Sequence, residues 1–238
     1  MMKRGCILLF LLLAVVGFSG PANAKLIVIG TVTYTGAGAN NITGAIGGGG
    51  PVMSDSSERQ GAAGTYNLIY EDDQGLVWLD FSNGRGIWPI QIKWAAKLNE
   101  PGVLTCKFNP GVSVTWEGDW RLPKAVDGPR YFGYDGKTNT AGYNITTDEM
   151  GHLFYKTLGN KAGVDNEGNR VTNGGLRNTG PFTKLLSTSY WTGTQYLYYE
   201  GVWSWSFNMD SGLLNTWALQ EEGYKALAVR PARVHGVN

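Results

Sequence analysis

The cysteine content sets the strongest limit on how this chain can fold. Cys6 and Cys106 are the two cysteines among 238 residues, and Cys6 lies in an N-terminal segment that we expect to be removed. The remaining cysteine cannot form an intramolecular disulfide, so burial of side chains must hold the fold. Nine Trp, twelve Tyr and eight Phe residues can supply such a core, because each buried ring removes roughly 150–250 Å² from water.

The first 24 residues have the pattern of a secretory signal peptide. Lys3 and Arg4 precede an apolar run from Ile7 to Val16, and Ala22-Asn23-Ala24 has the small-x-small pattern of a cleavage site. The run is about half of the ~20 residues that a membrane-spanning helix needs, which leaves an uncleaved anchor as the weaker alternative. We therefore predict that residues 1–24 are removed and that the protein is secreted or periplasmic.

The charge balance argues against a nucleic-acid partner. Removing Lys3 and Arg4 reduces the 20 basic residues to 18, against 19 acidic residues, for a net charge of −1. A near-neutral chain lacks the basic stripe with which proteins bind nucleic-acid phosphates. No second long apolar run follows, so we predict no membrane span in the mature chain. The oligomeric state stays open.

The first part of the mature chain predicts a leader followed by a hairpin. Residues 25–65 form a Gly-rich leader, in which Leu26–Tyr34 predicts one strand or a bent pair. Alternation in Tyr66–Tyr70 and in Leu76–Leu79 predicts a β-hairpin around Glu71–Gly75. The adjacent acidic residues of that turn would also suit calcium, but Asp and Gly are typical of a solvated turn, which we favour.

Two segments have helical periodicity. Trp88-Pro89 opens the first, with proline in the first turn, where its missing N–H is harmless. Thr146 and Glu149 have the spacing of a capping box at the start of the second, and Gly159-Asn160 ends it. The predicted apolar stripes are Ile90, Trp94, Ala95 and Leu98 in the first helix, and Met150, Leu153, Phe154 and Leu158 in the second.

The remaining elements are predicted strands and one motif between the helices. In Trp120-Arg121-Leu122-Pro123, the Trp and Leu alternate as apolar residues, and we expect Arg121 to cap carbonyls or to pair with a carboxylate such as Asp119 or Asp127. Aromatic residues in the C-terminal segments favour an antiparallel sheet. The predicted strands lie near 103–108, 112–116, 189–194, 202–207, 213–219 and 225–229.

Residue types argue against catalysis and against a bound metal or cofactor. A nucleophile needs a base beside it, and the chain offers only His152, predicted to be packed or exposed, and His235, near the C-terminus. The segment 165–169 predicts a reverse turn, because Arg170 stands where a calcium loop needs glycine. We predict no enzyme, no cofactor and no metal site, although a carboxylate pair for glycoside cleavage depends on distances that sequence hides.

Several motifs in register resemble the Lcl C-terminal domain family, a domain of unknown function. They are Leu76-Val77-Trp78, Gly118–Pro123, Glu149–Tyr155, Leu158-Gly159-Asn160, Gly180-Pro181-Phe182, Tyr190–Thr194 and Ala228–Pro231. The resemblance covers residues 66–235 and implies a secreted bacterial protein. It also implies an α+β, C-type lectin-like fold, with two helices packed on small antiparallel β-sheets. The name-giving member is a surface adhesin that recognises sulfated polysaccharide.

A ligand site is predicted in the connections of the C-terminal strands. Tyrosine rings offer flat apolar faces with a polar tip, and neighbouring carboxylates can accept hydrogen bonds from hydroxyls. The alternative is that these tyrosines cover the edge of the sheet. We predict a non-catalytic binding or adhesion protein for glycans or a surface polymer, or alternatively a structural or assembly component of the cell envelope that binds other proteins. The candidate residues are Tyr196, Tyr198, Tyr199, Glu200 and Asp210.

Overall fold

The computed structural model describes residues 24–39, 62–199, 201–218 and 223–237. Residues 1–23 of the predicted signal peptide and the glycine run 47–50 lie outside this part of the chain. None of its helices has the length and apolar character that crossing a bilayer requires. Its strands are β1 (Leu26–Tyr34), β2 (Gly64–Glu71), β3 (Leu76–Gly86), β4 (Leu104–Phe108), β5 (Ser113–Trp116), β6 (Phe132–Gly133), β7 (Ala141–Gly142), β8 (Ser189–Gln195), β9 (Trp203–Asn208), β10 (Leu213–Ala218) and β11 (Tyr224–His235).

These strands join in one sheet of mixed direction. The order of neighbours is β4-β1-β2-β3-β11-β8-β9-β10-β7-β6, and β5 pairs with β11 outside this path. The long strand β11 connects the strands β4-β1-β2-β3 to the strands β8-β9-β10-β7-β6. It runs antiparallel to β3, its last four residues pair with β5, and Lys225 lies opposite Tyr190 of β8 in a parallel arrangement.

The predicted fold class is therefore wrong. We expected an α+β, C-type lectin-like fold with two helices packed on small antiparallel sheets. The described residues instead form a single eleven-stranded sheet, and the helices are few and short. Side-chain patterns locate strands correctly, but strands pair through backbone groups that every residue except proline carries in full. The pattern therefore does not reveal which strands become neighbours.

Most individual elements match their predictions. The hairpin β2–β3 closes over Glu71–Gly75, and the four C-terminal strands are present as β8 to β11. Within the predicted leader, β1 is one strand with a register shift between Val28 and Gly30. It lies between β2 and β4, so its residues belong to the same sheet as the region after Tyr66.

The central strands are buried on both faces. Alternate residues of a strand point to opposite sides of its sheet, and the neighbours Val77 and Trp78 of β3 enter two different apolar clusters. The first cluster contains α1 (Trp88–Lys97) and its residue Trp94. The second contains α2 (Glu149–Gly151) and the π-helix that continues it, His152–Thr157.

The start of the second helix differs from its prediction. Asp148, not Thr146, is the N-cap, and its Oδ1 accepts a hydrogen bond of 2.8 Å from the N–H of Gly151. The side chain of Glu149 does not accept the hydrogen bond from the cap residue that a capping box requires, and pairs with Arg121 instead. After three residues the helix widens, and the N–H of Leu158 bonds to the carbonyl of Leu153, five residues earlier. The predicted stripe is nevertheless buried, because Met150, Leu153, Phe154 and Leu158 all face the second cluster.

Candidate functional site

The tyrosine-rich connection between β8 and β9 presents a group of aromatic rings at one end of the sheet. A short 3₁₀ helix, Leu197–Tyr199, forms the connection. The N–H of Tyr196 bonds to the carbonyl of Trp203, and the N–H of Tyr199 bonds to the carbonyl of Tyr196, each at 3.1 Å. These bonds fix the backbone of the turn, so the rings it carries have defined positions.

The rings lie against one another in a chain of contacts. The centroid of Tyr196 is 5.4 Å from that of Tyr198 and 6.1 Å from that of Tyr199, with interplanar angles of 36° and 33°. Tyr199 in turn lies 6.2 Å from Trp203. We call Tyr196, Tyr198, Tyr199 and Trp203 the tyrosine platform. The sequence prediction missed Trp203, which could have been found from its place directly after the tyrosine-rich turn.

The platform has a buried base and an exposed surface. Tyr196 is only 7 % exposed and packs edge-on against Trp205, with centroids 5.6 Å apart. Tyr198 and Tyr199 are 59 % and 62 % exposed, and neither hydroxyl has a hydrogen-bond partner among the described residues. Tyr198 and Tyr199 are therefore accessible to solvent, while Tyr196 supports them from the core, and a ligand role for these tyrosines stays a prediction.

The structure groups the three predicted tyrosines but does not bring Asp210 to them. Asp210 follows the far end of β9, where the hydroxyl of Ser187 donates to its Oδ1 at 2.8 Å. Trp203 of the platform is the first residue of β9 and Asp210 follows its last residue, Asn208, so the length of a six-residue strand, roughly 20 Å, lies between the tyrosines and Asp210. Glu200 lies outside the described residues. Asp210 is therefore not part of the same site, because a strand keeps its two ends apart.

The Trp120–Pro123 motif has a structural role. Trp120 and Leu122 are buried, and the Asn99 side chain at the end of α1 bonds to both the N–H and the carbonyl of Trp120. Arg121 caps the carbonyl of Leu122 at 3.1 Å and pairs with a carboxylate, as expected, but that carboxylate belongs to Glu149 and not to Asp119 or Asp127. Its two terminal nitrogens bind the two carboxylate oxygens of Glu149, each at 2.7 Å. This bidentate pair joins the motif to the second helix.

A cluster of ionisable groups joins the hairpin turn to the π-helix. Nδ1 of His152 lies 3.2 Å from Oε1 of Glu71, and Nε2 lies 3.1 Å from Oδ2 of Asp73. Glu71 is fully buried and also accepts hydrogen bonds from the indole of Trp78 and the hydroxyl of Thr157. His152 is thus neither simply packed nor simply exposed, because it bridges two carboxylates.

This cluster suits a protonated histidine. The hydrogen bond to Glu71 raises the pKa of His152 above its ordinary value, against the opposing effect of burial. Glu71, Asp73 and His152 also have ligand atoms within 4.8 Å of one another, close enough for one metal ion. Because both ring nitrogens face carboxylates, a proton on each satisfies the whole arrangement, whereas a metal would occupy one nitrogen. We therefore interpret the cluster as a stabilising ion-pair network.

Comparison with known proteins adds no assignment to these sites. No protein-family model matches the chain. Neither a curated protein nor a solved structure matches it.

Proposed function

We propose that this protein is an exported, non-catalytic binding protein that recognises a glycan through the tyrosine platform. The observation that carries the proposal is the exposure of Tyr198 and Tyr199 on a base of buried rings. Export rests on the N-terminal pattern of residues 1–24. The motif resemblance to the Lcl C-terminal domain family is compatible with the same role.

The chemistry of the platform fits a carbohydrate. A sugar ring has apolar C–H faces and a rim of hydroxyls, and a tyrosine offers a flat apolar face with a hydroxyl that donates and accepts. The turn that carries the rings is held by backbone hydrogen bonds, and Trp205 supports Tyr196 from below. A preformed surface loses little conformational entropy on binding, so a small number of rings can give useful affinity.

The absence of catalysis is part of the same proposal. His152 has carboxylates at both ring nitrogens. The hydroxyl beside it, on Thr157, donates to Glu71 and so does not present its proton to the imidazole. A base for nucleophile activation needs a free nitrogen directed at the nucleophile.

The test is a glycan array probed with the protein and with the double variant Tyr198→Ala/Tyr199→Ala. The protein must include β1, because a fragment beginning at residue 66 would remove a strand between β2 and β4. Tyr131→Ala is the matched control, since Tyr131 is 62 % exposed but lies outside the platform. We expect binding to at least one glycan class, a loss of about tenfold or more in the double variant, and no change in the control.

Conservative variants separate the two parts of the interaction. Tyr198→Phe and Tyr199→Phe keep the ring faces and remove the hydroxyls, so they should retain most binding if stacking dominates. A protein that binds no glycan on the array, or a double variant that binds as well as the parent, contradicts the proposal.

A second candidate is a structural or assembly component of the cell envelope that binds protein through the same surface. Leu197 and Val202 are also strongly exposed beside the tyrosines, and contiguous exposed apolar groups mark protein interfaces. Cross-linking in the native envelope followed by purification would favour this role if one protein is captured by the parent and by Tyr131→Ala, but not by the double variant. Glycan binding on the array with no captured protein would favour the first role.

A further inference from the structure

A cleft of about 680 Å³ lies at the opposite end of β9 from the tyrosine platform. It opens between the region of Asp135 to Thr146 and the loop that follows the π-helix. The N–H of Gly163, next to the cleft residue Ala162, bonds to the carbonyl of Ser211 in the turn after β9. Its volume is in the range of small-molecule sites, about 300–1,000 Å³.

The walls of this cleft are held in place by side chains that bond to the backbone. Oδ1 of Asn160 accepts hydrogen bonds from the N–H groups of Arg177 and Asn178, each at 2.9 Å. The hydroxyl of Tyr155 donates to the carbonyl of Gly212 at 2.6 Å and accepts from the N–H of Asn144 at 3.0 Å. The cleft is therefore preformed and does not depend on a ligand to order its lining.

A second set of side chains in the cleft lining does not bond to the backbone of the walls. The ammonium, hydroxyl and amide groups of this set have no hydrogen-bond or ion-pair partner among the described residues. They offer mostly donors, and two of them carry a positive charge. The set consists of Thr146, Lys156, Lys161, Asn166, Thr172 and Asn173.

The acidic residue in the lining does not neutralise these lysines through a direct contact. The carboxylate of Asp135 accepts hydrogen bonds from the N–H groups of Lys137 and Thr138 and from the Thr138 hydroxyl. Those bonds lower the pKa of Asp135, the backbone bond from Thr138 most of all. Its oxygens are thus turned towards their own loop, and the free groups of the cleft favour an anion.

We propose that this cleft binds a phosphate ester carried on a hydroxylated carbon skeleton, such as a sugar phosphate. The ammonium groups of lysines bind phosphate as point charges, and a phosphate ester with nearly two negative charges gains more from two lysines than a singly charged carboxylate does. Lys156 and Lys161 bind the phosphate, and the hydroxyls and amides of Thr146, Thr172 and Asn173 bind the hydroxyls of the skeleton. This site is independent of the proposed glycan binding at the platform, so either can fail without the other.

Isothermal titration calorimetry at low salt tests the proposal with glucose 6-phosphate and glycerol 3-phosphate as probes. Inorganic phosphate supplies the charge without the skeleton, glucose supplies hydroxyls without the charge, and glucuronic acid replaces phosphate by carboxylate. The variant is Lys156→Gln/Lys161→Gln, and its control is Lys93→Gln, an exposed lysine on α1.

We expect at least one ester to bind more tightly than inorganic phosphate or glucose. Its dissociation constant should rise about tenfold or more in the double variant, since hydrogen bonds to charged groups are strong, and should not change in the control. Asn173→Ala, which keeps both charges, should weaken the ester but not inorganic phosphate. The proposal is overturned if neither ester binds at millimolar concentration, if the double variant binds equally well, or if glucuronic acid binds more tightly than either ester.

Discussion

Within the described residues, α1 and the second helix (α2 with the π-helix that continues it) are attached to the same sheet by different kinds of interaction. The helix α1 is held by apolar burial and neutral hydrogen bonds. Trp94 is buried, its ring lies 6.1 Å from that of Phe81, and its indole N–H donates to the hydroxyl of Tyr34. The buried polar side chain of α1 is the uncharged amide of Gln91, which donates to the carbonyls of Gly84 and Tyr224.

The second helix adds ionisable contacts to its apolar stripe. Asp148 caps it, Glu149 pairs with Arg121, and His152 lies between Glu71 and Asp73. Asp148 bonds within its own helix, to the N–H of Gly151, but the partners of Glu149 and His152 are distant in sequence, in the Trp120–Pro123 motif and in the hairpin turn. A three-residue α-helix followed by a π-helix is not stable by itself, because short helices gain little from propensity alone. It therefore depends on contacts with the rest of the protein. The stability of α1 should therefore depend on packing volume, whereas the stability of the second helix should also depend on charge and pH.

The largest expected effect is on the α1 side. Trp94→Ala removes a buried ring and leaves a cavity, so the free energy of unfolding should fall by about 3–5 kcal/mol. Urea denaturation followed by circular dichroism measures the change. The control is Lys93→Ala, an exposed neighbour on the same helix, which should change stability by less than about 0.5 kcal/mol. A small loss in Trp94→Ala would show that α1 is not held by packing.

The next effect concerns the ion pair of the second helix. Arg121 is 24 % exposed and its pair with Glu149 is bidentate, so Arg121→Ala leaves a largely buried carboxylate without its partner. We expect a loss of about 2–3 kcal/mol, somewhat less than for a fully buried pair.

Arg233→Ala is the matched control for this pair. Arg233 binds Glu117 at 2.5 Å but is 73 % exposed, and exposed pairs contribute about 0–1 kcal/mol. Equal losses in the two variants would mean that burial does not distinguish the Arg121 pair from a surface pair. Chemical denaturation of both variants at one pH and one salt concentration decides between these outcomes.

The smallest effect is a pH dependence that belongs to the second helix. The hydrogen bond to Glu71 raises the pKa of His152, and burial raises the pKa of Asp148 to about 7. Both groups therefore hold protons more strongly in the folded chain than in the unfolded chain. Their stabilising contribution is fully present below the unfolded pKa values, about 3.9 for Asp and 6.5 for His. It is lost as the pH rises through the folded values.

Stability should thus decrease between about pH 4 and about pH 7 through Asp148, and from about pH 6.5 upwards through His152, by at most about 1.4 kcal/mol per pH unit for each group. His152→Gln and Asp148→Asn should each reduce the slope of stability against pH. Trp94→Ala should lower stability at every pH and leave that slope unchanged. Thermal unfolding over a pH series measures the slopes. A rise in stability over this range, or a slope that persists in the combined His152→Gln/Asp148→Asn variant, would contradict the interpretation of the cluster.

The sequence alone determined where most elements lie and which side chains enter the core. Apolar spacing located α1, the β2–β3 hairpin and the four C-terminal strands, because a buried face must repeat with the period of its own element. It also located the tyrosine-rich connection between two of these strands, but not which of its rings are exposed and which is buried. These features follow from contacts among residues that are close along the chain.

The tertiary structure decided the order of strands, the place of β1 inside the sheet and the composition of each site. It separated Asp210 from the tyrosines, added Trp203 to them, gave the cap to Asp148, and brought Glu71 and Asp73 to His152 across about eighty residues of sequence. Strand pairing uses backbone groups that are nearly identical at every position, and ion pairs form between any opposite charges that folding brings close. Neither strand pairing nor ion pairing produces a periodic pattern in the sequence, so both could be read only from the folded sheet.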